Sequence, residues 1–299
     1  MFDWDDLRVF IAAARAESAT AAAQRLGLDA STVGRRIAAL EASLKATLFV
    51  RSARGLRLTA SGARLLNAGL AVEAAMNAAV EVGEQDIIGG AIRISAAEGF
   101  GGKVLAPALP RLRARHPGLS VELVANPGFM SVLRREVDMT VTLSEPTSRR
   151  LLIEPLTDYQ LGLYASTAYL AENGAPKDVD DLGRASLVGY IDDQIYAPEL
   201  RYLDELRPGL TPNLASSSIN AQREIIAADG GIGVLPCFLG EGLERVLPAQ
   251  VQLTRRFWIA TLREVAATAR VRAIRAWMKG LVEDERDRLS PSAARAVAL

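Results

Sequence analysis

Apolar residues at the start of the chain recur with the period of an amphipathic helix, Leu7, Phe10, Ile11 and Ala14 falling at i, i+3, i+4 and i+7. A short helix is expected next, from Ser18 or Thr20 to Leu26, with Ser18 as its cap and Gly27 as the left-handed residue that ends it. Asp29 can then cap a second helix running through Leu44. On that helix Val33, Ile37, Leu40 and Leu44 share one face, Ser31, Arg35 and Ala38 lie opposite, and Thr32 and Arg36 sit on the flanks. One face packs and the other is left to touch something. Two short extended pieces follow, Leu48-Phe49-Val50 and Leu56-Arg57-Leu58, joined by Arg51-Ser52-Ala53-Arg54-Gly55 as a small basic hairpin or wing. Thr59 caps a long helix from Ala60 to about Glu84, whose sparse stripe of Leu65, Val72, Met76 and Ala79 needs a partner to cover it.

After Gly89-Gly90 the pattern changes to short strands alternating with amphipathic helices. Strands are expected at 91–95, 120–124, 138–143, 160–164, 185–190 and 233–235, and helices near 103–115, 130–136, 168–173, 221–229 and 268–284. The fold class is thus multidomain, α followed by α/β with mixed sheets. Prolines at 107, 110, 117, 127, 146, 155 and 176 should fall mostly at element edges, and 285–299 should be a loosely held tail.

Composition changes this picture in one place. The chain has 299 residues, 49% hydrophobic and 23% charged, enough for two domains with a real core. Thirty-five basic residues balance thirty-five acidic ones, so any nucleic-acid footprint must be local. Between Arg25 and Arg64 it is: eight cations (Arg25, Arg35, Arg36, Lys45, Arg51, Arg54, Arg57, Arg64) stand against Asp29 and Glu41. Duplex DNA binds such a patch by counterion release, and a helix enters the major groove when its outward residues are small, polar or arginine. Ser31, Thr32, Arg35 and Arg36 meet that description, Arg35 best placed for a guanine or a phosphate, with Arg51 and Arg54 on the wing for a minor groove or the backbone. A merely solvated charged face is the plain alternative, and the ordered succession of helix pair, basic helix and basic wing argues against it.

Much enzymology is excluded. Cys237 and His116 are single, which removes an intrachain disulfide, CxxC pairs, zinc fingers, Cys/His catalytic pairs and most histidine metal sites. No metal, cofactor or catalytic residue is expected. Gly99-Phe100-Gly101-Gly102-Lys103 and Gly230-Gly231-Ile232-Gly233 lack full phosphate-loop spacing and read as turn glycines. Cys237 reads as a small buried hydrophobe rather than a redox sensor, and His116 as a helix-terminal cap. With no apolar run near the roughly 18 residues that span a bilayer, and an acidic amino terminus, the expected location is the cytoplasm, with no membrane partner.

The sequence Ser18-Ala19-Thr20-Ala21-Ala22-Ala23-Gln24-Arg25-Leu26, then Val33, Ile37 and Leu40-Glu41, then Leu48-Phe49-Val50-Arg51 and Leu58-Thr59-Ala60-Ser61-Gly62, resembles the winged helix-turn-helix of LysR-type transcriptional regulators. Leu133, Glu136-Val137-Asp138 and 230–236 carry a weaker likeness onward. One departure is that the recognition helix opens with Asp29-Ala30-Ser31 and has Gly34 before its basic pair, where the family usually has Ser-Gln and Ser; Ala30 lacks a glutamine's polar contact.

The resemblance implies a DNA-binding domain at 1–58, a linker helix pairing two subunits at 59–88, and a two-lobed effector-binding domain at 89–299, with lobe one near 89–161 and 263–299 and lobe two near 162–262. It implies double-stranded operator DNA and a small-molecule effector as partners, and a homodimer or homotetramer. The effector cleft would be lined by Ala96, Ala97, Glu98, Gly99 and Phe100 from lobe one and by Ile191, Asp192, Ser217, Ser218 and Pro236 from lobe two. Glu98, with Asp192-Asp193 near the same cleft, would repel an anion and favour a neutral or cationic effector, or none; both acids facing solvent is the alternative. Against this regulator stands a two-lobed small-molecule binding protein or enzyme carrying an incidental helical extension.

Overall fold

Asp3, Ser18 and Asp29 start the first three helices by the same chemistry: each side chain accepts a backbone N–H of the first turn, from Asp5, Ala21 and Thr32 respectively. The helices are α1 (Trp4–Ala16), α2 (Ala19–Leu26) and α3 (Ala30–Leu44), followed by a two-stranded wing of β1 (Phe49–Ser52) and β2 (Gly55–Leu58) and then the long α4 (Ala60–Val80). The computed structural model describes residues 3–52, 55–80, 88–125, 132–133 and 136–291. It divides into two compact units, 1–85 and 86–299.

In the first unit, Leu7, Phe10 and Ile11 of α1 meet Ala22 and Ala23 of α2 and Val33, Ile37 and Leu40 of α3 in one buried cluster. Phe49 brings the wing into it, its ring 5.2 Å from that of Phe10. The Glu41 carboxylate accepts the N–H groups of Leu48 and Phe49 at 2.6 and 3.2 Å, fixing where the chain turns from α3 into β1. The wing is tighter than the sequence reading had it: Arg51 and Ser52 belong to β1 and Gly55 to β2, in register Arg51 with Leu56 and Ser52 with Gly55. Gly55, at φ +117°, lies against the α1–α2 turn, where a Cβ would come within 2.4 Å of the Glu17 carbonyl oxygen, and the next N–H, of Leu56, donates to that oxygen at 2.8 Å.

The second unit contains β3 (Gly90–Ala96), the single turn α5 (Glu98–Phe100), a π-helical turn Gly101–Leu105, α6 (Ala106–Arg115), β4 (Leu119–Ala125), β5 (Met139–Thr142) and the long β6 (Leu151–Ala165). After these come α7 (Thr167–Asn173), β7 (Leu187–Gly189), α8 (Tyr202–Leu206), β8 (Leu214–Ala215), α9 (Ile219–Ala227), β9 (Ile232–Pro236), β10 (Glu244–Val246), β11 (Leu253–Leu262), α10 (Ala269–Asp284) and α11 (Arg286–Leu289). The strands run in the order β4-β3-β5-β11-β6-β9-β7-β8, with β10 also paired to β6. β3 lies parallel to β4 and β5, and β7 parallel to β8 and β9, so each end of the sheet is an α/β layer. Between them β6 and β11 form an antiparallel pair long enough to serve both layers, lobe one through β5 and lobe two through β9 and β10.

Two prolines fall inside elements rather than at edges. Pro110 lies within α6. Pro155 lies within β6, opposite Trp258, and the register slips there: Phe257 faces Thr157, leaving Leu156 as the extra residue of a bulge. A proline cannot donate to the ladder, so the irregularity falls where the strands pass from lobe one to lobe two. The expected loose tail also needs correction where it is described: Arg286–Leu289 is helical and Leu289, 1% exposed, is part of the main core, while 292–299 lie outside the described residues. The expected helix at 130–136 falls mostly outside the described residues, and Val132 and Leu133 stand in a turn.

Candidate nucleic-acid interface and effector cleft

The outward face of α3 is organised by its own cap. Asp29 Oδ1 accepts from the Thr32 N–H at 2.7 Å and from Ser31 Oγ at 2.6 Å, while Thr32 Oγ1 donates to Oδ2 at 2.7 Å. The Ser31 and Thr32 hydroxyls, with the Thr32 N–H, hold the Asp29 carboxyl far below the usual carboxylate range. Both hydroxyl protons thus point into the helix cap, and the amino end of α3 presents a carboxylate where the sequence suggested open donors. Asp29 as part of this surface was missed; its short spacing from Ser31 and Thr32 was the signal.

Arg35 is exposed, and its Nη2 donates to Thr32 Oγ1 at 3.0 Å, which aims the guanidinium toward the start of the helix. Arg36 is placed differently: it is half-buried, with Nη1 3.2 Å from Asp6 Oδ1 and 3.9 Å from Asp5 Oδ2, tying α3 to α1. Arg51 pairs through its backbone in β1, but its side chain and all of Arg54 lie outside the described residues. On α4, Leu65 packs partly against the cluster of its own unit, Val72 and Met76 are 43% and 46% exposed, and the side chain of Ala79 lies outside the described residues.

The second site lies between the lobes of the sensor half. Ala97, Glu98, Gly99, Phe100, Ser217 and Pro236 line one cavity, and its volume is about 30 Å³, room for a water or two. Its walls are aromatic in a way the sequence reading missed: Tyr159, Tyr190, Tyr196, Tyr202, Phe238 and Phe257 all face it. These residues sit on β6, β11, the start of α8, and the loops and short turns of lobe two, far apart in sequence, so no local motif announces them. Phe257 stacks on Tyr159 with ring centroids 4.2 Å apart and meets Phe100 at 4.5 Å, which makes the strand crossing the floor of the cavity. Burial raises the phenols of Tyr159, Tyr190 and Tyr202, and Tyr196 is pushed up to about 12 by burial and then by the Glu98 charge, so all four are neutral hydrogen-bonding groups.

Glu98 is half-buried and bonded to lobe two rather than free in solvent. Its Oε1 accepts from Ser218 Oγ at 2.7 Å and Asn220 Nδ2 at 3.1 Å, and its Oε2 accepts from the Ile219 N–H at 3.1 Å. Asp192 does not line that cavity, contrary to the expected acidic pair: it lines a neighbouring depression of about 410 Å³, which shares Tyr190, Leu200 and Tyr202 with the cavity, and it is exposed beside Arg201, whose Nη1 lies 2.7 Å from Oδ1. The short helical turn after Ile191 leaves its side chain exposed and paired with Arg201, outside the lining of the cavity that holds Glu98.

Of the lesser readings, His116 and Gly230-Gly231 stand as expected, Cys237 is half-buried rather than buried, and Gly99, Gly101 and Gly102 are helical rather than turn glycines, in α5 and the π-helical turn. His116 occupies the C-cap of α6, its N–H donating to Leu112 O at 3.0 Å. Burial pushes the Cys237 thiol up, although Tyr164 and Arg245 work against the shift. Gly230-Gly231 makes the turn into β9, where the Ile232 N–H donates to Ser186 O at 2.9 Å. Among the described residues no helix is long and apolar enough to cross a membrane, and no group of three or more His, Cys, Asp or Glu is arranged to hold a metal ion.

A capped helix pair with a basic second helix and a β-wing occupies one unit, and two α/β layers sharing a pair of strands occupy the other. Residues 4–63 match the family described as bacterial regulatory helix-turn-helix protein, lysR family, and residues 86–282 match the LysR substrate binding domain. The chain belongs to the LysR family. As a LysR-type transcriptional regulator it joins a DNA-binding helix-turn-helix to a domain of the effector-binding kind, and its curated relatives are regulators. It is 31% identical over 187 residues to the HTH-type transcriptional regulator DmlR of Escherichia coli, a match spanning 60% of this chain and 59% of that protein. It is 27% identical over 243 residues to the HTH-type transcriptional regulator CrgA of Neisseria meningitidis serogroup C, spanning 79% of this chain and 80% of that one. The solved structure of CrgA from Neisseria meningitidis shares the fold, with TM-score 0.58 and 24% identity over 95% of this chain and 99% of that one.

Proposed function

We propose that this LysR-type regulator grips operator DNA through the exposed face of α3, with Arg35 reading a base edge and the wing arginines holding the backbone. The single observation that carries the reading is the position of Arg35: an exposed guanidinium aimed by Thr32 along a helix whose opposite face is buried. Asp29 gives the same face an acceptor suited to the amino group of a cytosine, next to Ala30, which stands where the family usually has glutamine. Arg36 acts one step back, by setting α3 on α1.

The boundaries we assign are 1–58 for DNA binding, 59–88 for subunit pairing and 89–299 for sensing. The exposed Val72 and Met76, on one face of α4, support pairing through that helix, and a two-fold dimer or a tetramer built from it would read two half-sites. The effector enters between the lobes and shifts an equilibrium between lobe arrangements, with the bulge at Pro155 and Leu156 as the point of flexure. Kinship with DNA-binding regulators supports an output of DNA occupancy rather than turnover, exerted in the cytoplasm.

A gel shift on the DNA upstream of its own coding sequence, at two salt concentrations, tests the assignment. Sequence-specific retention that weakens steeply with salt is expected; indifference to every duplex at low salt would overturn it. Size-exclusion chromatography with light scattering of the Val72→Glu, Met76→Glu double variant checks the pairing helix, since an unchanged assembly would remove α4 from that role.

A further inference from the structure

Helix α9 opens lobe two's side of the cleft with three donors suited to a carboxylate, the Ser218 hydroxyl, the Ile219 N–H and the Asn220 amide, at the end where its dipole favours an anion. A carboxylate already stands there, and it comes from the protein. Glu98 opens α5 at the end of β3 in lobe one, while α9 packs on lobe two, so all three hydrogen bonds cross the cleft. The approach is close because residue 99 is glycine: a Cβ there would come within 3.0 Å of Leu239 Cδ1 and 3.2 Å of Ile219 Cγ2. The orientation that gives Asn220 Nδ2 to Glu98 leaves Asn220 Oδ1 buried without a hydrogen-bond partner, so the carboxylate sets the amide rather than the reverse. The space beside it is about 30 Å³, where small-molecule sites usually span several hundred. A second bond across the lobes, Ser144 Oγ to Glu199 Oε2 at 2.6 Å, leaves α9 untouched.

We propose that Glu98 is a built-in occupant of the cleft: its carboxylate fills the anion-binding end of α9, latches the lobes together without any effector, and makes the unaltered cleft reject free carboxylates. The proposal rests on the effector-cleft reading given above. A tethered carboxylate faces these donors at a high effective concentration, so a free one of the same chemistry must displace it and then remain beside its charge. The effector of this chain is therefore a molecule that does not need α9 for a carboxylate, neutral or cationic in the part that meets Glu98.

The test measures thermal melting of the full chain in sodium acetate, propionate and benzoate against sodium chloride at equal ionic strength. Glu98→Ala should melt below the parent and be restabilised in a saturable way by the carboxylates, with affinity at least about tenfold tighter than the parent's. Ser144→Ala should gain no such response, because its α9 remains filled. A carboxylate response of the same size in the parent or in Ser144→Ala, or none in folded Glu98→Ala, overturns the latch. Calorimetric titration of the unaltered chain with the three carboxylates decides the matter if Glu98→Ala does not fold: saturable binding would refute the proposal, and its absence is the expected result. Operator retention on the same samples is a separate readout, so a chain that grips DNA but lacks the carboxylate response loses only the latch.

Discussion

Arg35 and Arg36 are adjacent in sequence and opposite in surroundings, so replacing each by alanine separates DNA binding from folding. Arg35 is exposed, and its hydrogen bond to Thr32 lies within one turn of α3, so Arg35→Ala should change stability by less than about 0.5 kcal/mol. If it reads a guanine edge, the same change costs about 1–3 kcal/mol of operator affinity, a rise in Kd of roughly 5-fold to 150-fold. Arg36 holds Asp6, whose side chain is 17% exposed, and approaches Asp5, so Arg36→Ala should lower stability by about 0.5–1 kcal/mol through a loosened α1–α3 contact. Urea denaturation followed by circular dichroism gives the stability of each variant, and a gel shift on operator and scrambled duplexes gives its discrimination. An Arg35→Ala chain that keeps full preference for operator over scrambled DNA, or one that loses as much stability as Arg36→Ala, would refute the division of labour.

Other expectations concern the scaffold. Burial alone would raise the Glu154 carboxyl, but hydrogen bonds from Arg275 at 2.9 Å and Lys279 at 3.0 Å outweigh it and hold the group below its ordinary 4.5. That stabilisation is fully present above the unfolded value and is lost as pH falls through the lower folded one, so Glu154→Gln should cost about 1–2 kcal/mol at neutral pH, a gap to the parent that closes in acid; melting curves across pH check it. Gly55→Ala should destabilise the first unit by about 1–3 kcal/mol, through both its positive φ and the Glu17 carbonyl in its path, and a urea midpoint equal to the parent's would count against that geometry. Cys237 should react slowly with a thiol-specific disulfide reagent at pH 8 until the chain is denatured, because burial disfavours its thiolate; rapid native reaction would restore the redox-sensor reading.

Local chemistry in the first unit was legible because its signals are short-range. Ser18, Gly27 and Asp29 mark the helix ends they turn out to occupy, with Gly27 left-handed at φ 65°, and Val33, Ile37 and Leu40 are buried as their spacing predicts. The sensor half was legible in its alternation and less so in its long elements. β6 was read only at 160–164 although it runs from Leu151 to Ala165, because Pro155 and the charged residues around it mask a strand whose faces are covered by different lobes. Of β11 only 258–262 was legible, as one of two strands expected to hinge the lobes, because Thr254, Arg255 and Arg256 interrupt the apolar pattern before it, and Glu244 and Arg245 do the same in β10. In the cleft, Glu98 could be singled out as unusual, but its bonds to Ser218, Ile219 and Asn220 span some 120 positions along the chain, and no periodicity carries that information. Asp192 fails in the opposite direction: the family resemblance placed it in the cleft, and a single short turn leaves it exposed beside Arg201.

The strands common to both lobes also govern how the sensor half comes apart. Because β6 and β11 complete the hydrogen-bonding ladders of β5 on one side and β9 on the other, neither layer can lose its edge without exposing the other's. Melting of this half should accordingly register in a calorimeter as one sharp heat-absorption peak, and proteolytic nicking inside either strand should scatter the whole half instead of releasing a surviving fragment.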